Sequence, residues 1–275
     1  MKEYILPILI FLGFGALSGI LLLIASKVLA VKTDETETKI TEALPGANCG
    51  GCGYSGCAGY AAAVAHDGAP TNLCKPGGAD VMKKINAIMG TEGGEFIREV
   101  AYVRCNGCEK ATKDRFTFTG TKSCAAVEKF YNGKGECRFG CDGYGDCAAV
   151  CSNDAITIAD GVAVVDPAKC GGCGKCVTAC PNHLIFLRKE TSTVALRCSS
   201  KDSGKVTRTV CTNGCIGCKI CEKKCPHGAV IVADNHAVID YDKCTSCGTC
   251  VSACPRKCLV NITCIHSEKA EQADN

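Results

Sequence analysis

Residues 170–181 read CGGCGKCVTACP. Four cysteines spaced C-x2-C-x2-C-x3-C and closed by a proline form the run that binds cubane iron–sulfur clusters, with three thiolates on one cluster and the fourth on its partner. The spacing recurs at 215–226, CIGCKICEKKCP, and at 244–255, CTSCGTCVSACP. Three copies leave little room for disulfides, whose geometry suits separate pairs. Between paired runs lie short β-branched stretches, 155–158 with 162–165 and 229–232 with 237–239. These predict small hairpins packed against the clusters.

The runs sit in an internal repeat. A gap-free shift of 74 residues lays Cys124 on Cys198, Cys137 on Cys211, Cys141 on Cys215, Cys147 on Cys221 and Cys151 on Cys225. The same shift lays Cys170, Cys173, Cys176 and Cys180 on Cys244, Cys247, Cys250 and Cys254. Cross-ligation between runs predicts three sets: Cys170, Cys173 and Cys176 with Cys151; Cys215, Cys218 and Cys221 with Cys254; and Cys244, Cys247 and Cys250 with Cys225. The remaining run, CRFGCDGYGDCAAVCS from Cys137, departs from the pattern. Tyr144 stands where the second copy has Cys218, and Ser152 replaces the proline. Cys137 is expected to supply the missing thiolate, giving Cys137, Cys141, Cys147 and Cys180. A three-iron cluster or a water-exposed iron is the alternative.

Upstream, Cys49, Cys52, Cys57 and Cys74 follow C-x2-C-x4-C-x16-C spacing among glycines. They satisfy one [4Fe–4S] cluster, or a structural zinc. Helices are expected at 58–65 and 79–89. Five clusters use 20 of the 27 cysteines. A sixth site would be drawn from Cys105, Cys108, Cys124, Cys198 and Cys211; the other reading is buried free thiols. Cys258 aligns with Leu184, which favours a core position, and Cys264 has no assignable role.

Of 275 residues only 5% are aromatic and none is Trp, too few for one large core. A net charge of +3 gives no case for nucleic-acid binding. Residues 4–26 carry no charge, enough to span a bilayer as a helix, with Gly15 and Gly19 in GxxxG spacing. A cleaved signal peptide ending near 28–30 is the rival reading. Lys27 and Lys32 against Lys2 place the C-terminal side in the cytoplasm by a small margin. The expected class is α+β, built of small cluster-stapled domains: a transmembrane anchor 1–31, an acidic linker 32–43 and an N-terminal helical [4Fe–4S] domain 44–100. A first ferredoxin-like unit with its leading segment at 101–190, a second at 191–265 and a polar tail 266–275 complete it. Gly51, Gly53 and Gly56 spell GxGxxG, but no strand precedes them. His66, His183, His227, His236 and His266 show no metal-ligand spacing. The chain has redox centres and no complete active site.

The apolar span, the Cys49–Cys74 motif and the ferredoxin runs together resemble the B-subunit family of the Rnf complex, an ion-translocating ferredoxin:NAD oxidoreductase. The likeness extends to about Ile262 and fits a longer form with a duplicated ferredoxin part. It implies that reduced ferredoxin delivers electrons, which pass through [4Fe–4S] clusters toward flavin-bearing and NAD-site subunits in the cell (inner) membrane, driving Na+ or H+ transport. A related complex of the same family, which reduces a redox-sensing transcription factor, is the alternative. A generic polyferredoxin would lack the first motif. A zinc or disulfide scaffold would be colourless. Lys219, Lys223, Lys224, Arg256 and Lys257 form either a docking face for acidic ferredoxin or an ordinary solvated surface.

Overall fold

The computed structural model describes residues 2–28, 34–92 and 94–262. The end of the expected anchor, the polar tail, Cys264 and His266 lie outside the described residues. Helix α1 (Lys2–Val28) is 27 residues long, about 40 Å at 1.5 Å per residue. Its side chains are described for 11–24, where Phe11, Leu12, Phe14, Leu17, Leu22 and Leu23 are all exposed. A helix apolar on every side needs a surrounding that is not water. That stretch alone is short of a span, and among the described residues no helix is long and apolar enough to cross a membrane.

Helix α2 (Glu35–Ala43) is capped by Asp34, whose carboxylate accepts the Thr36 N–H at 3.0 Å. From Glu35 on, the segment expected as an acidic linker over 32–43 is therefore a capped helix. Ile40 is 0% exposed, and it packs with Leu44 onto Tyr60 and Val64 of α3 (Cys57–His66) and Val81 and Ile85 of α4 (Gly78–Met89). One isoleucine among polar neighbours leaves no apolar stripe to read, yet it seats the helix.

The rest is two similar units. The first holds β1 (Glu99–Val103), α5 (Cys124–Tyr131), α6 (Asp146–Ala149), β2 (Ile156–Ala159), β3 (Val162–Val165), α7 (Lys175–Ala179) and β4 (Ile185–Lys189). The second holds β5 (Val194–Leu196), α8 (Gly204–Val210), α9 (Ile220–Lys224), β6 (Val230–Ala233), β7 (His236–Ile239), α10 (Thr249–Ser252) and β8 (Leu259–Asn261). The expected hairpins are β2–β3 and β6–β7. Outside them the first and last strands of each unit pair antiparallel: β1 with β4, Ala101 opposite Leu187, and β5 with β8, Ala195 opposite Val260. Strand β1 starts at Glu99 and so runs across the expected boundary between 100 and 101.

The strand pairing also corrects the repeat alignment. Arg104 N–H donates to the Leu184 carbonyl at 2.7 Å, and Arg197 N–H to the Cys258 carbonyl at 2.7 Å. Leu184 and Cys258 are equivalent, so Arg104–Cys105 matches Arg197–Cys198. Cys124 is not the counterpart of Cys198; it lies in a segment inserted in the first copy.

Each ferredoxin run turns through a left-handed residue between its first two cysteines: Gly172 at φ +66°, Gly217 at +63° and Ser246 at +59°. A Cβ on Gly172 would also lie 2.5 Å from the Glu99 carbonyl oxygen. Gly172→Ala therefore meets backbone strain of about 1–3 kcal/mol and a clash with β1. The expected result is loss of the iron held beside Cys173, read by iron content and unfolding; Ser246→Ala, with a side chain already accommodated there, should retain its iron.

Candidate metal centres

In the N-terminal domain Cys49, Cys52, Cys57 and Cys74 line one cavity. Asn48, itself at φ +44°, accepts the Cys57 N–H at 2.8 Å and draws the first loop onto the start of α3. The buried Tyr60 hydroxyl donates to the Pro70 carbonyl at 2.7 Å and accepts the Leu73 N–H at 3.3 Å. That fixes the long loop that delivers Cys74.

In the first unit, the thiols of Cys170, Cys173, Cys147 and Cys151 all lie close enough to act on Cys176. Cys170 Sγ accepts the Ala101 N–H at 3.4 Å, and Cys151 Sγ accepts the Ala155 N–H at 3.3 Å. Arg98 holds the approach to Cys170, donating to the carbonyls of Pro167, Ala168 and Cys170 while pairing with Glu190.

The irregular run resolves differently from the sequence expectation. Its cavity is lined by Cys124, Cys141, Cys147 and Cys180; Cys137 does not line it. Cys124 reaches it from the first turn of α5, which Asp146 anchors. The Asp146 carboxylate accepts N–H bonds from Cys124 and Ala125 and the Ser123 hydroxyl, each at 2.9 Å. Partial burial pushes this carboxyl up, and those bonds outweigh it to hold the group below its usual range. Its stabilising contribution is thus present above the ordinary carboxyl pKa and is lost as pH falls through the lowered one. Asp146→Ala should cost about 1–2 kcal/mol at neutral pH and loosen Cys124, seen as faster iron release to a chelator with Cys170–Cys176 iron unchanged.

In the second unit Cys215, Cys218, Cys221 and Cys254 line one cavity, and Cys244, Cys247 and Cys225 surround Cys250. Cys258, buried as expected, places its Sγ 3.5 Å from that of Cys254. The Cys258 thiol, hydrogen-bonded to both, holds Cys254 down at about 5 and lowers Cys215 as well. The last cysteine of three runs accepts an N–H from four residues on, Ala155 to Cys151, Leu184 to Cys180 and Ala229 to Cys225, each at 3.3 Å. Exposed Lys219, Lys223, Lys224 and Lys257 remain available as a basic face. Arg256 is used internally, donating to the Gly214 and Cys211 carbonyls.

A further cavity, about 280 Å3, lies between the units and includes Cys105, Cys137, Cys198 and Cys211 in its walls. Cys108 stands beside it, near Cys211.

These thiols suit clusters. Burial pushes Cys137, Cys141, Cys147 and Cys176 up to about 12, with neighbouring thiols pushing the same way. Such sets hold thiolates only with positive charge among them. Among the described residues no three His, Cys, Asp or Glu side chains converge to hold a single ion; four groups of thiols line cavities instead.

Residues 44–76 match the family described as a putative Fe-S cluster, and 169–229 and 214–259 match 4Fe-4S dicluster domains. The chain is 40% identical to the B subunit of the ion-translocating oxidoreductase complex of Methanosarcina acetivorans, over 90% of this chain and 94% of that one. The chain belongs to the B-subunit family of ion-translocating oxidoreductase complexes. Within this family it is also 43% identical to the B subunit of the Na(+)-translocating ferredoxin:NAD(+) oxidoreductase complex of Acetobacterium woodii, over 94% of this chain and 78% of that one. The proton-translocating counterpart from Clostridium ljungdahlii is 35% identical over 99% of both chains. The dicluster matches cover the ferredoxin runs and leave out 104–168, the segment in which Cys105, Cys124 and Cys137 lie.

Proposed function

We infer that this chain is the electron-relay subunit of a membrane ion-translocating ferredoxin:NAD oxidoreductase. Reduced ferredoxin would deliver electrons to it, and it would relay them toward flavin-bearing and NAD-site subunits. The observation that carries this reading is the joining of a Cys49–Cys74 centre to two ferredoxin units in one chain, aligned over nearly its whole length with the B subunits of two ferredoxin:NAD(+) oxidoreductase complexes. The [4Fe–4S] clusters supply one-electron redox chemistry when bound. The chain's own part is to hold thiolates, exclude water and aim backbone N–H groups at sulfur, which tunes cluster potentials.

The ligand sets we propose are Cys49, Cys52, Cys57 and Cys74; Cys151, Cys170, Cys173 and Cys176; Cys124, Cys141, Cys147 and Cys180; Cys215, Cys218, Cys221 and Cys254; and Cys225, Cys244, Cys247 and Cys250. Cys124 takes the place first expected of Cys137. Helix α1 would anchor the chain as a single span, with the clusters on the cytoplasmic side. The names of two relatives differ in the ion moved, so Na+ and H+ both stand.

An acidic ferredoxin would dock on Lys219, Lys223, Lys224 and Lys257, beside the exposed Cys218. The test is reduction of the anaerobically purified full chain by reduced ferredoxin, followed by bleaching of the cluster absorbance. Replacing Lys219, Lys223 and Lys224 by Glu should slow reduction and flatten its salt dependence. No bleaching by ferredoxin would sink the relay reading; an unchanged salt slope would sink only the docking face.

A further inference from the structure

We propose that Cys105, Cys137, Cys198 and Cys211 hold a sixth [4Fe–4S] cluster that bridges the two ferredoxin units, two thiolates from each. The four sulfurs share one cavity, and they are related in pairs by the duplication. Cys105 and Cys198 each follow the first strand of their unit. Cys137 and Cys211 each stand four residues before the first cysteine of a run, Cys141 and Cys215.

Their hydrogen bonds repeat the same pairing. Cys105 Sγ accepts the N–H of Gly107, two residues on, at 3.3 Å, and that of Cys141. Cys198 Sγ accepts the N–H of Ser200, two residues on, at 3.5 Å, and that of Cys215 at 3.3 Å. Cys137 and Cys211 accept from Phe139 and Asn213, again two residues on. Six N–H donors thus point at four sulfurs. An empty pocket of neutral thiols gives no reason for such a set; thiolate ligands of a cluster do.

Charge points the same way. Arg104 and Arg197, equivalent residues each one before a cysteine of the set, both line the cavity. Arg197 is only 8% exposed, and the groups acting on it are the thiols of Cys105, Cys108 and Cys141. A buried guanidinium beside four thiolates offsets the net negative charge of a thiolate-ligated cubane.

The walls are held by bonds between copies. Thr112 donates to the Val210 carbonyl at 2.7 Å, Thr212 N–H to the Ala111 carbonyl at 2.8 Å, and Asn213 to the Asn106 carbonyl at 2.9 Å. Cys108 does not line the cavity and accepts no such bond, so it is left out of the set.

The consequence for the relay, which rests on the function proposed above, is continuity. Cys141 lies on the wall of both this cavity and that of Cys124, Cys147 and Cys180. On the other side, the Cys215 N–H bonds the bridging sulfur of Cys198, while Cys215 lines the cavity of Cys218, Cys221 and Cys254. At the far end Gly51, beside Cys49, abuts Cys173: a Cβ there would lie 3.0 Å from its carbonyl oxygen. The six centres therefore form a single file. Each hop moves one electron and breaks no bond: the donor centre is oxidised by one electron as its neighbour is reduced by one, the electrons entering from reduced ferredoxin.

The test uses the full chain, purified without oxygen, with native mass spectrometry and iron and acid-labile sulfide counts. About 24 of each per chain are expected, against about 20 without the bridge. Cys198→Ala and Cys211→Ala should each lose about four irons, and Cys108→Ala none. Arg197→Gln should keep its iron and lower the midpoint potential of one centre by at least 59 mV, a tenfold change in its reduced-to-oxidised ratio at fixed potential. A wild-type mass corresponding to five cubanes, or one zinc ion at these thiols, overturns the proposal even if every variant misfolds. Cys173→Ala is the control. If it loses no iron the relay reading fails, whereas its loss of about four with none from Cys211→Ala fails the bridge alone.

Discussion

Cys137→Ala and Cys147→Ala, combined in one chain, are expected to remove about eight irons, whereas Cys124→Ala combined with Cys147→Ala removes only about four. The difference follows from which cavity each thiol faces. Cys124 lines the same cavity as Cys147, and Cys137 lines the one between the units. Two substitutions on one cluster cost one cluster; on two clusters they cost two. Sequence spacing alone gives the opposite pairing, because Cys137 lies four residues from Cys141 and Cys124 lies 17 away. A loss of about four from the first pair and eight from the second would restore that pairing and overturn the geometric one. Electron paramagnetic resonance on the reduced single variants provides a second check, since Cys124→Ala and Cys137→Ala should delete different signals.

Ile40→Ala is expected to cost about 2–5 kcal/mol, the range for removing a fully buried isoleucine side chain to its β-carbon. Ile40 is 0% exposed between α3 and α4, and its loss opens a void against Tyr60, Val64 and Ile85. The domain it serves is small, so that cost is a large share of its stability. We expect α2 to lose hydrogen-exchange protection and the Cys49–Cys74 centre to release iron, with the two ferredoxin units unaffected. Ile40→Val should cost only about 0.5–1.5 kcal/mol and keep the iron. Equal protection of α2 in wild type and Ile40→Ala would mean that the helix is a passive tether after all.

What could be read from the chain follows the reach of each signal. The C-x2-C-x2-C-x3-C runs are local, and so are hairpins β2–β3 and β6–β7, closed by two-residue turns at Asp160–Gly161 and Asp234–Asn235. All were legible. Strands β1 and β4 pair across more than 80 residues, and β5 and β8 are three residues each. Neither is long or alternating enough to show a period. The repeat was visible, but a gap-free shift cannot represent an insertion. Cys105 and Cys137 are 32 residues apart and Cys198 and Cys211 only 13. The extra chain in the first copy carries Cys124 and α5, and it put the leading segments out of phase. The signal that corrects it is short: V-R-C at 103–105 against L-R-C at 196–198. It gains weight only once β1 and β5 are seen to occupy the same place.

The shared cavity also bears on how such a duplicated protein persists. Each copy brings two of the four thiols proposed as ligands and one of the two arginines that line the cavity. Neither half is self-sufficient, so excising one copy would leave an unfinished half-site on the other, with Cys105 and Cys137, or Cys198 and Cys211, facing solvent. Assembly inherits the same dependence. The last centre to be filled would be the one requiring both units to have folded and met, which makes it a checkpoint for maturation.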